Sequence, residues 1–189
     1  EGARLKQTTD AQTFKKMVGH KVLPEDFSII FDPQIHEYRK FPLSGSYVFD
    51  DEGVRGKRVN VVENGILKSF LMSRTPIEGF SNSNGHGRAM IYFPTVTRQS
   101  NMLVESNKPK TLEELRSILI AEAKKQNKTY AYLFDDVSGG FTMTGRYMPN
   151  SFNVTPLVVY KIYTDGRPDE LVRGVDLIGT PLSMFSQID

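Results

Sequence analysis

The sequence predicts an α+β fold, a largely antiparallel β-sheet domain with one long amphipathic helix and one short N-terminal helix. Three observations predict it: short β-prone runs are frequent, two of them meet at Asn64-Gly65, and one long stretch has helical periodicity. The chain shows no biased linker and no internal repeat of roughly 20 to 50 residues. We therefore expect a single domain over residues 1–189.

The clearest local signal is a β-hairpin over residues 58–71. A β-prone run from Arg58 to Glu63 is followed by Asn64-Gly65 and then by a second run from Ile66 to Leu71. Asn-Gly tolerates positive φ at both central residues, as a two-residue hairpin turn requires. Further strands are expected over residues 28–31, 46–49, 90–93, 102–105, 130–134, 141–144, 157–163, 170–172 and 175–178.

Two helices are expected, one in each half of the chain. Thr111 and Glu114 form a capping box at the start of the longer helix, which Asn127 is expected to end. Apolar residues recur on one side of it at helical spacing, namely Leu112, Leu115, Ile118, Leu119 and Ala123. Thr9-Asp10 can cap the shorter helix, with Gly19 as its left-handed stop.

The composition excludes several classes of function. The 24 basic and 22 acidic residues nearly balance, at a formal charge of +2, so the strong positive field that nucleic acid needs is not expected. No apolar run approaches the ~20 residues that cross a bilayer, so no membrane partner is expected. The absence of cysteine excludes a thiolate site within these residues and leaves the redox compartment open. The expected location is the cytoplasm, which the absence of cysteine neither requires nor excludes.

Histidines are the remaining residues that could bind a metal. His20, His36 and His86 each lack a second ligand at the spacing of a zinc-binding helix. We therefore expect no catalytic residue, no metal ligand and no cofactor within residues 1–189. His86 stands between two glycines and two residues before Arg88, where a ligand could approach the backbone. It is either an ordinary histidine of a solvent-exposed connection or part of a binding loop.

Acidic and glycine-rich runs are interpreted as turns. Asp50-Asp51-Glu52-Gly53 and Asp135-Asp136 do not follow the alternating ligand pattern of a calcium-binding loop. Residues 137–142 contain Ser-Gly-Gly but lack the Lys-Ser/Thr ending of a phosphate loop. A Gly-x-Ser-x-Gly nucleophile elbow is also absent from the sequence, which disfavours a self-contained hydrolase.

Several motifs follow one another in a characteristic order. They are Gly53, Glu63-Asn64-Gly65-Ile66-Leu67-Lys68, Ser83-Asn84-Gly85-His86-Gly87-Arg88, Pro94, Arg98-Gln99-Ser100-Asn101, Asp165-Gly166 and Gly174-Val175-Asp176-Leu177-Ile178-Gly179. In this order they resemble the C-terminal domain of the TldD/PmbA-type peptidases over essentially the whole chain.

The resemblance implies a zinc metallopeptidase of the TldD type that cleaves unstructured peptides. In the metal-bearing members, two His of a His-Glu-x-x-x-His helix and a Cys bind zinc, and the helix Glu activates a metal-bound water. Glu1-Gly2 resembles the tail of that helix, so the chain would be truncated at both ends. The zinc-binding helix would lie upstream of residue 1 and the Cys beyond Asp189. The intact protein would then carry zinc, and this fragment alone would be inactive.

The resemblance further implies that this chain supplies scaffold and substrate groove. Family members hold an unfolded peptide as an added strand, and residues 81–101 are the candidate edge. Two glycines there are expected to expose backbone amides, and several side chains supply donors for peptide carbonyl groups. The candidate substrate-binding residues are Asn84, His86, Arg88, Arg98 and Asn101.

The expected partners are a peptide or unfolded-protein substrate and a second family member, in a homodimer or heterodimer of the intact protein. An alternative function is a non-catalytic module of the PmbA type that binds peptide or pairs with a partner. Modulation of DNA gyrase follows only from the naming of the family, and the sequence shows no basic patch to support it.

Overall fold

The computed structural model describes residues 14–143 and 151–188, and every strand pair within them is antiparallel. The predicted α+β class is confirmed. The chain divides into two compact units, one running up to Asn107 and taking in the residues from Phe185 on, the other Lys108–Met184. That residues 1–189 fold as a single domain stays a prediction. Within the described ranges, no helix has the length and apolarity needed to cross a membrane.

The first unit is built mainly of strands. They are β1 (Phe27–Phe31), β2 (Glu37–Tyr38), β3 (Phe41–Pro42), β4 (Val59–Glu63), β5 (Ile66–Leu67), β6 (Gly87–Arg88), β7 (Val96–Thr97) and β8 (Met102–Ser106). The central sheet has the order β5-β4-β1-β8, while β2 pairs with β3 and β6 with β7. Val22, Leu23, Val62 and Leu67 form its buried cluster.

The predicted N-terminal helix falls partly on residues 9–13, which lie outside the described residues. From Phe14 on, the chain forms a 3-10 turn at Lys15–Met17. Gly19 has a φ of 82°, as expected for a left-handed stop.

The hairpin at Asn64-Gly65 is confirmed, with φ values of 49° and 77° at the two turn residues. Its second strand is shorter than predicted and ends at Leu67. The ladder stops there because the amides of Lys68 and Ser69 both point to the carbonyl of Val61.

Two predicted strands of the first unit are wrong. Residues 46–49 form no regular strand, because Tyr47 N donates to the Pro33 carbonyl and only Phe49 makes an isolated bridge. Residues 90–93 form a turn closed by a 2.9 Å bond from Phe93 N to Met90 O. The pairing of β6 with β7 makes these residues the connection of a hairpin, so their β-propensity is overridden.

The second unit contains the long helix and a second sheet. Its elements are α1 (Leu112–Lys125), β9 (Tyr130–Met143), β10 (Ser151–Tyr163), β11 (Glu170–Val172) and β12 (Leu177–Gly179), followed by the short helix α2 (Pro181–Phe185). Strand β10 is the shared strand of this sheet, since β9, β11 and β12 each pair with it. The predicted capping box of α1 is confirmed, and Asn127 follows the helix with a φ of 55°. The predicted core face of α1 is largely exposed, since only Ala123 is buried.

The turns predicted at residues 135–136 and 137–142 are wrong, because β9 runs through both. Gly140 pairs with Val154 of β10, and a Cβ atom at Gly140 would lie 2.3 Å from the carbonyl oxygen of Asn153. This glycine therefore serves the close approach of two strands rather than a turn.

Candidate functional site

Residues 81–101 fold around the side chain of His86, which is completely buried. Its Nδ1 atom lies 3.0 Å from Asn84 Oδ1 and 3.2 Å from the Asn84 carbonyl oxygen. Its Nε2 atom lies 3.0 Å from Ser100 Oγ. Because both atoms facing Nδ1 are acceptors, Nδ1 carries the proton and Nε2 accepts a hydrogen bond from the Ser100 hydroxyl.

The orientation of the Asn84 amide is fixed by the backbone beside it. The Met72 amide donates to Asn84 Oδ1 at 2.7 Å, and Asn84 Nδ2 donates to the Phe70 carbonyl at 2.9 Å. Oδ1 is therefore the atom that faces His86. The Asn84 side chain ties the loop to residues 70–72.

The surroundings of His86 favour its neutral form. Burial lowers the pKa of its imidazole, against the smaller opposing effects of its bond to Asn84 and of the charges of Asp50 and Asp32. Both ring nitrogens have partners within the chain. His86 is thus suited to hold the loop in shape rather than to bind a metal or transfer a proton.

Asn101 cross-links a second part of the first unit and is only 7% exposed. Its Oδ1 atom accepts the amide of Gly45 at 2.9 Å. Its Nδ2 atom lies within hydrogen-bonding distance of three acceptors: Asp32 O, Ile35 O and Ser46 Oγ. The side chain therefore holds the connection after β1 against the start of β8.

The glycine amides of the loop are not exposed, contrary to the expectation from the sequence. Gly87 N donates to Asp50 Oδ2 at 2.8 Å, and Gly85 N donates to Ser83 Oγ at 3.1 Å. Gly85 has a φ of 75°, and a Cβ atom there would lie 2.4 Å from the carbonyl oxygen of Arg55. These glycines allow close backbone packing, and their donors are occupied.

Arg88 leaves this buried frame and lies half-exposed at its edge. Its Nε atom lies 3.1 Å from Asp51 Oδ2, and its guanidinium carbon lies 4.6 Å from the centre of the Tyr47 ring. The Tyr47 hydroxyl in turn donates to the Gly85 carbonyl at 2.9 Å. The Ala89 amide, more than Arg88, holds the pKa of the Asp51 carboxyl below its usual range.

A surface groove of about 540 Å³ opens beside Arg88. It is lined by Arg88, Ala89, Met90, Phe93, Pro94, Val96 and Arg98. The backbone of Arg98 is fixed by a 2.9 Å bond from its amide to the His86 carbonyl. The groove is therefore formed by the β6-β7 hairpin, which the buried histidine supports.

The predicted site residues thus occupy two kinds of position. Asn84, His86 and Asn101 have internal partners, whereas the side chains of Arg88 and Arg98 border the groove. His86 bonds directly to Asn84 and to the Arg98 backbone, while Asn101 belongs to the separate network around residues 32–46. Contact of any of the five with substrate stays a prediction.

Sequence reasoning missed several residues that form the site. Asp50 was recognised only as part of a turn, although its carboxylate accepts amides 37 residues away as well as nearby. Ser100 and Tyr47 gave no local signal. Met90 and Phe93 were assigned to a strand, yet they present exposed apolar surface to the groove.

The described residues do not fit a zinc ion. Across residues 14–143 and 151–188, no group of three or more His, Cys, Asp or Glu side chains is arranged to hold a metal. The one buried histidine, His86, already has partners at both ring nitrogens.

The sequence resembles curated metalloproteases. A protein of Archaeoglobus fulgidus named metalloprotease is 28% identical over 181 residues, covering 94% of this chain and 37% of the relative. A protein of Buchnera aphidicola named metalloprotease TldD homolog is 29% identical over 182 residues, covering 90% of this chain and 35% of the relative. The chain thus spans little more than a third of the length of these relatives.

Solved structures share the fold. The structure of TldE from Thermococcus kodakarensis superposes with a TM-score of 0.64 at 21% identity, covering 98% of this chain and 38% of that one. A Thermotoga maritima protein described as a modulator of a DNA gyrase superposes with a TM-score of 0.60 at 22% identity. The match covers 97% of this chain and 37% of that one. Residues 6–189 match the family described as PmbA/TldA metallopeptidase C-terminal domain. The chain belongs to this family.

Proposed function

We propose that this chain is the scaffold and peptide groove of a TldD-like zinc metallopeptidase that cleaves unstructured peptides. Membership in a metallopeptidase domain family supports the proposal. The observation that carries it is the groove of about 540 Å³, whose lining is largely apolar and includes two arginines, Arg88 and Arg98. Apolar walls with a few placed polar groups are typical of sites that bind organic ligands.

The buried hydrogen bonds beneath the groove hold its shape, so that different peptides can bind to the same surface. His86, Asn84 and Asp50 fix the loop by internal hydrogen bonds before any ligand arrives. Such preorganisation lowers the entropic cost of binding. Arg88 and Arg98 can donate to peptide carbonyl oxygens while the apolar lining takes a side chain, so that binding depends on only a few positions of the peptide.

Zinc belongs to the intact protein in this proposal and is held outside the described residues. We place its His-Glu-x-x-x-His helix upstream of residue 1. The same protein would pair with itself or with another family member, and we expect it in the cytoplasm. When bound, zinc would supply the activated water for peptide hydrolysis.

Metal analysis and peptide hydrolysis test the proposal. The intact protein should hold about one zinc per chain and cleave unfolded peptides, a chelator should abolish cleavage, and added zinc should restore it. Residues 1–189 alone should show neither tight zinc nor cleavage. Cleavage that resists chelation in the intact protein, or a tightly bound zinc in residues 1–189, would contradict it.

A non-catalytic peptide-binding or partner-pairing module is the second candidate. It rests on the same groove, which would bind a peptide without a metal. An intact protein that binds unfolded peptides in the groove, but neither holds zinc nor cleaves them, would establish this candidate instead.

A further inference from the structure

The two arginines that border the groove differ in their surroundings. Arg88 has Asp51 at its Nε atom and the Tyr47 ring beneath its guanidinium group. Arg98 is exposed and has no acidic partner anywhere in the described part of the chain. An unpaired cation at the rim of an apolar groove is complementary to a carboxylate on the ligand.

The lining beside Arg98 is apolar and largely open to solvent. Met90 is 64% exposed, Phe93 62% and Val96 44%. Together they can cover one large apolar side chain of a ligand, and burying it would stabilise the complex through the hydrophobic effect. The groove therefore offers an apolar contact and a positive charge next to each other.

The backbone of the hairpin decides which carboxylate can bind. A terminal carboxylate is usually captured by free backbone amides. Here Gly87 N is bound to Asp50, Ala89 N to Asp51, and Arg98 N to the His86 carbonyl. Because these three amides are occupied, we assign the carboxylate to the Arg98 side chain, and an acidic side chain within the peptide can bind there without free amides.

We infer that the groove selects extended peptide segments in which Asp or Glu stands two positions from a large apolar residue. The spacing follows because side chains two residues apart lie on the same face of an extended chain, roughly 7 Å apart. The inference rests on the proposed function and names the substrate class of the same groove.

Fluorescence anisotropy on the full-length protein tests it, read at low temperature before hydrolysis depletes the peptide. The labelled peptides carry Leu-x-Glu, Glu-x-Leu, the Gln counterpart of each, or the adjacent pair Leu-Glu, each with a free and with an amidated C-terminus. The adjacent pair should bind no more tightly than the Gln peptides, and equal binding of the adjacent and spaced Glu peptides would overturn the spacing. The better of the two spaced Glu peptides should bind about threefold more tightly than its Gln counterpart. The difference should shrink as salt is raised, because the pair is exposed.

Arg98→Gln should lower the affinity for the spaced Glu peptide more than the affinity for the matching Gln peptide, so that the difference between the two disappears. Arg173→Gln is the charge-matched control, since Arg173 is exposed and does not line the groove. It should preserve the difference between the two peptides. Melting temperatures of both variants show that folding is retained.

Equal binding of Glu and Gln peptides would overturn the inference and leave the proposed function standing, as would a difference that survives Arg98→Gln. A preference for the free over the amidated C-terminus would identify the chain terminus as the occupant and overturn it as well. If no peptide bound at all, the proposed function would fall together with the inference.

Discussion

The Nε2 atom of His86 lies 3.0 Å from the Oγ atom of Ser100, so one buried ring joins the two ends of the β6-β7 hairpin. The other ring nitrogen is bonded to Asn84. The histidine that stands between two glycines is therefore the internal support of the groove. Replacing His86 should therefore lower the stability of the folded protein. It should weaken peptide binding only through that loss of stability.

Replacing His86 with Ala should lower the free energy of unfolding by about 3 kcal/mol, because it leaves a cavity and removes the partners of Asn84 and Ser100. Chemical denaturation measures this. Ser100→Ala is the matched control, which removes one hydrogen bond and should cost about 1 kcal/mol. A change below about 0.5 kcal/mol in His86→Ala would contradict the supporting role of the ring.

Stability should also depend on pH through His86. Burial lowers the pKa of this histidine in the folded state, so the unfolded chain takes up the proton more readily. The stability that the neutral imidazole of His86 contributes is complete above the pKa of histidine in the unfolded chain, about 6.5. It is lost as pH falls from there through the lower pKa of His86 in the folded protein. The free energy of unfolding should therefore decrease across this window.

His86→Gln isolates that effect, because all other titrating groups are common to both proteins. The difference in unfolding free energy between wild type and His86→Gln should narrow as pH falls below about 6.5. A difference that is constant over this range would show that the imidazole is not held neutral.

Gly65 and Gly53 allow the cost of a backbone clash to be separated from the cost of positive φ. Their φ values are 77° and 75°, but a Cβ atom at Gly65 would lie 2.5 Å from the carbonyl oxygen of Leu23, while Gly53 faces open space. Gly53→Ala should lower the free energy of unfolding by about 1 kcal/mol, and Gly65→Ala should lower it by about 2 to 4 kcal/mol. Thermal denaturation of both variants decides the matter, and equal costs would contradict the close packing at Gly65.

Asn101→Asp should destabilise the first unit although the side chain keeps its size. The donor Nδ2 faces three acceptors, among them Asp32 O and Ile35 O. A carboxylate oxygen in its place would leave the donor interactions unmade and bring acceptors together. We expect a loss of about 3 kcal/mol in unfolding free energy. Full stability at neutral pH would show that the network is not needed.

Local signals predicted the parts of the fold that depend on neighbouring residues. Asn64-Gly65 identified its hairpin and Thr111 with Glu114 identified the start of α1, because turn and cap chemistry act over a few residues. Residues 90–93 and 137–142 were misassigned because pairing with a distant strand decides their conformation. Single-sequence propensity does not contain that pairing.

The segment predicted as the candidate site contains the groove, but several of its polar groups do not have the surroundings that the sequence led us to expect. The donors of Asn84 and Gly87 were expected to face a ligand, whereas their partners are Phe70 and Asp50. These partners are distant in sequence, and no local pattern indicates them. Once they are known, Arg88 and Arg98 remain as the polar groups of the groove.

The kcat/KM for unrelated unfolded peptides, measured with the full-length double variant Arg88→Gln/Arg98→Gln, tests the central claim most directly. We expect about a tenfold loss with little change in melting temperature, because both side chains lie at the surface of the frame. The double variant Arg74→Gln/Arg173→Gln carries the same charge change at exposed positions outside the groove lining and should keep wild-type kcat/KM. Equal kcat/KM in wild type and in the Arg88/Arg98 variant would show that the groove does not bind substrate.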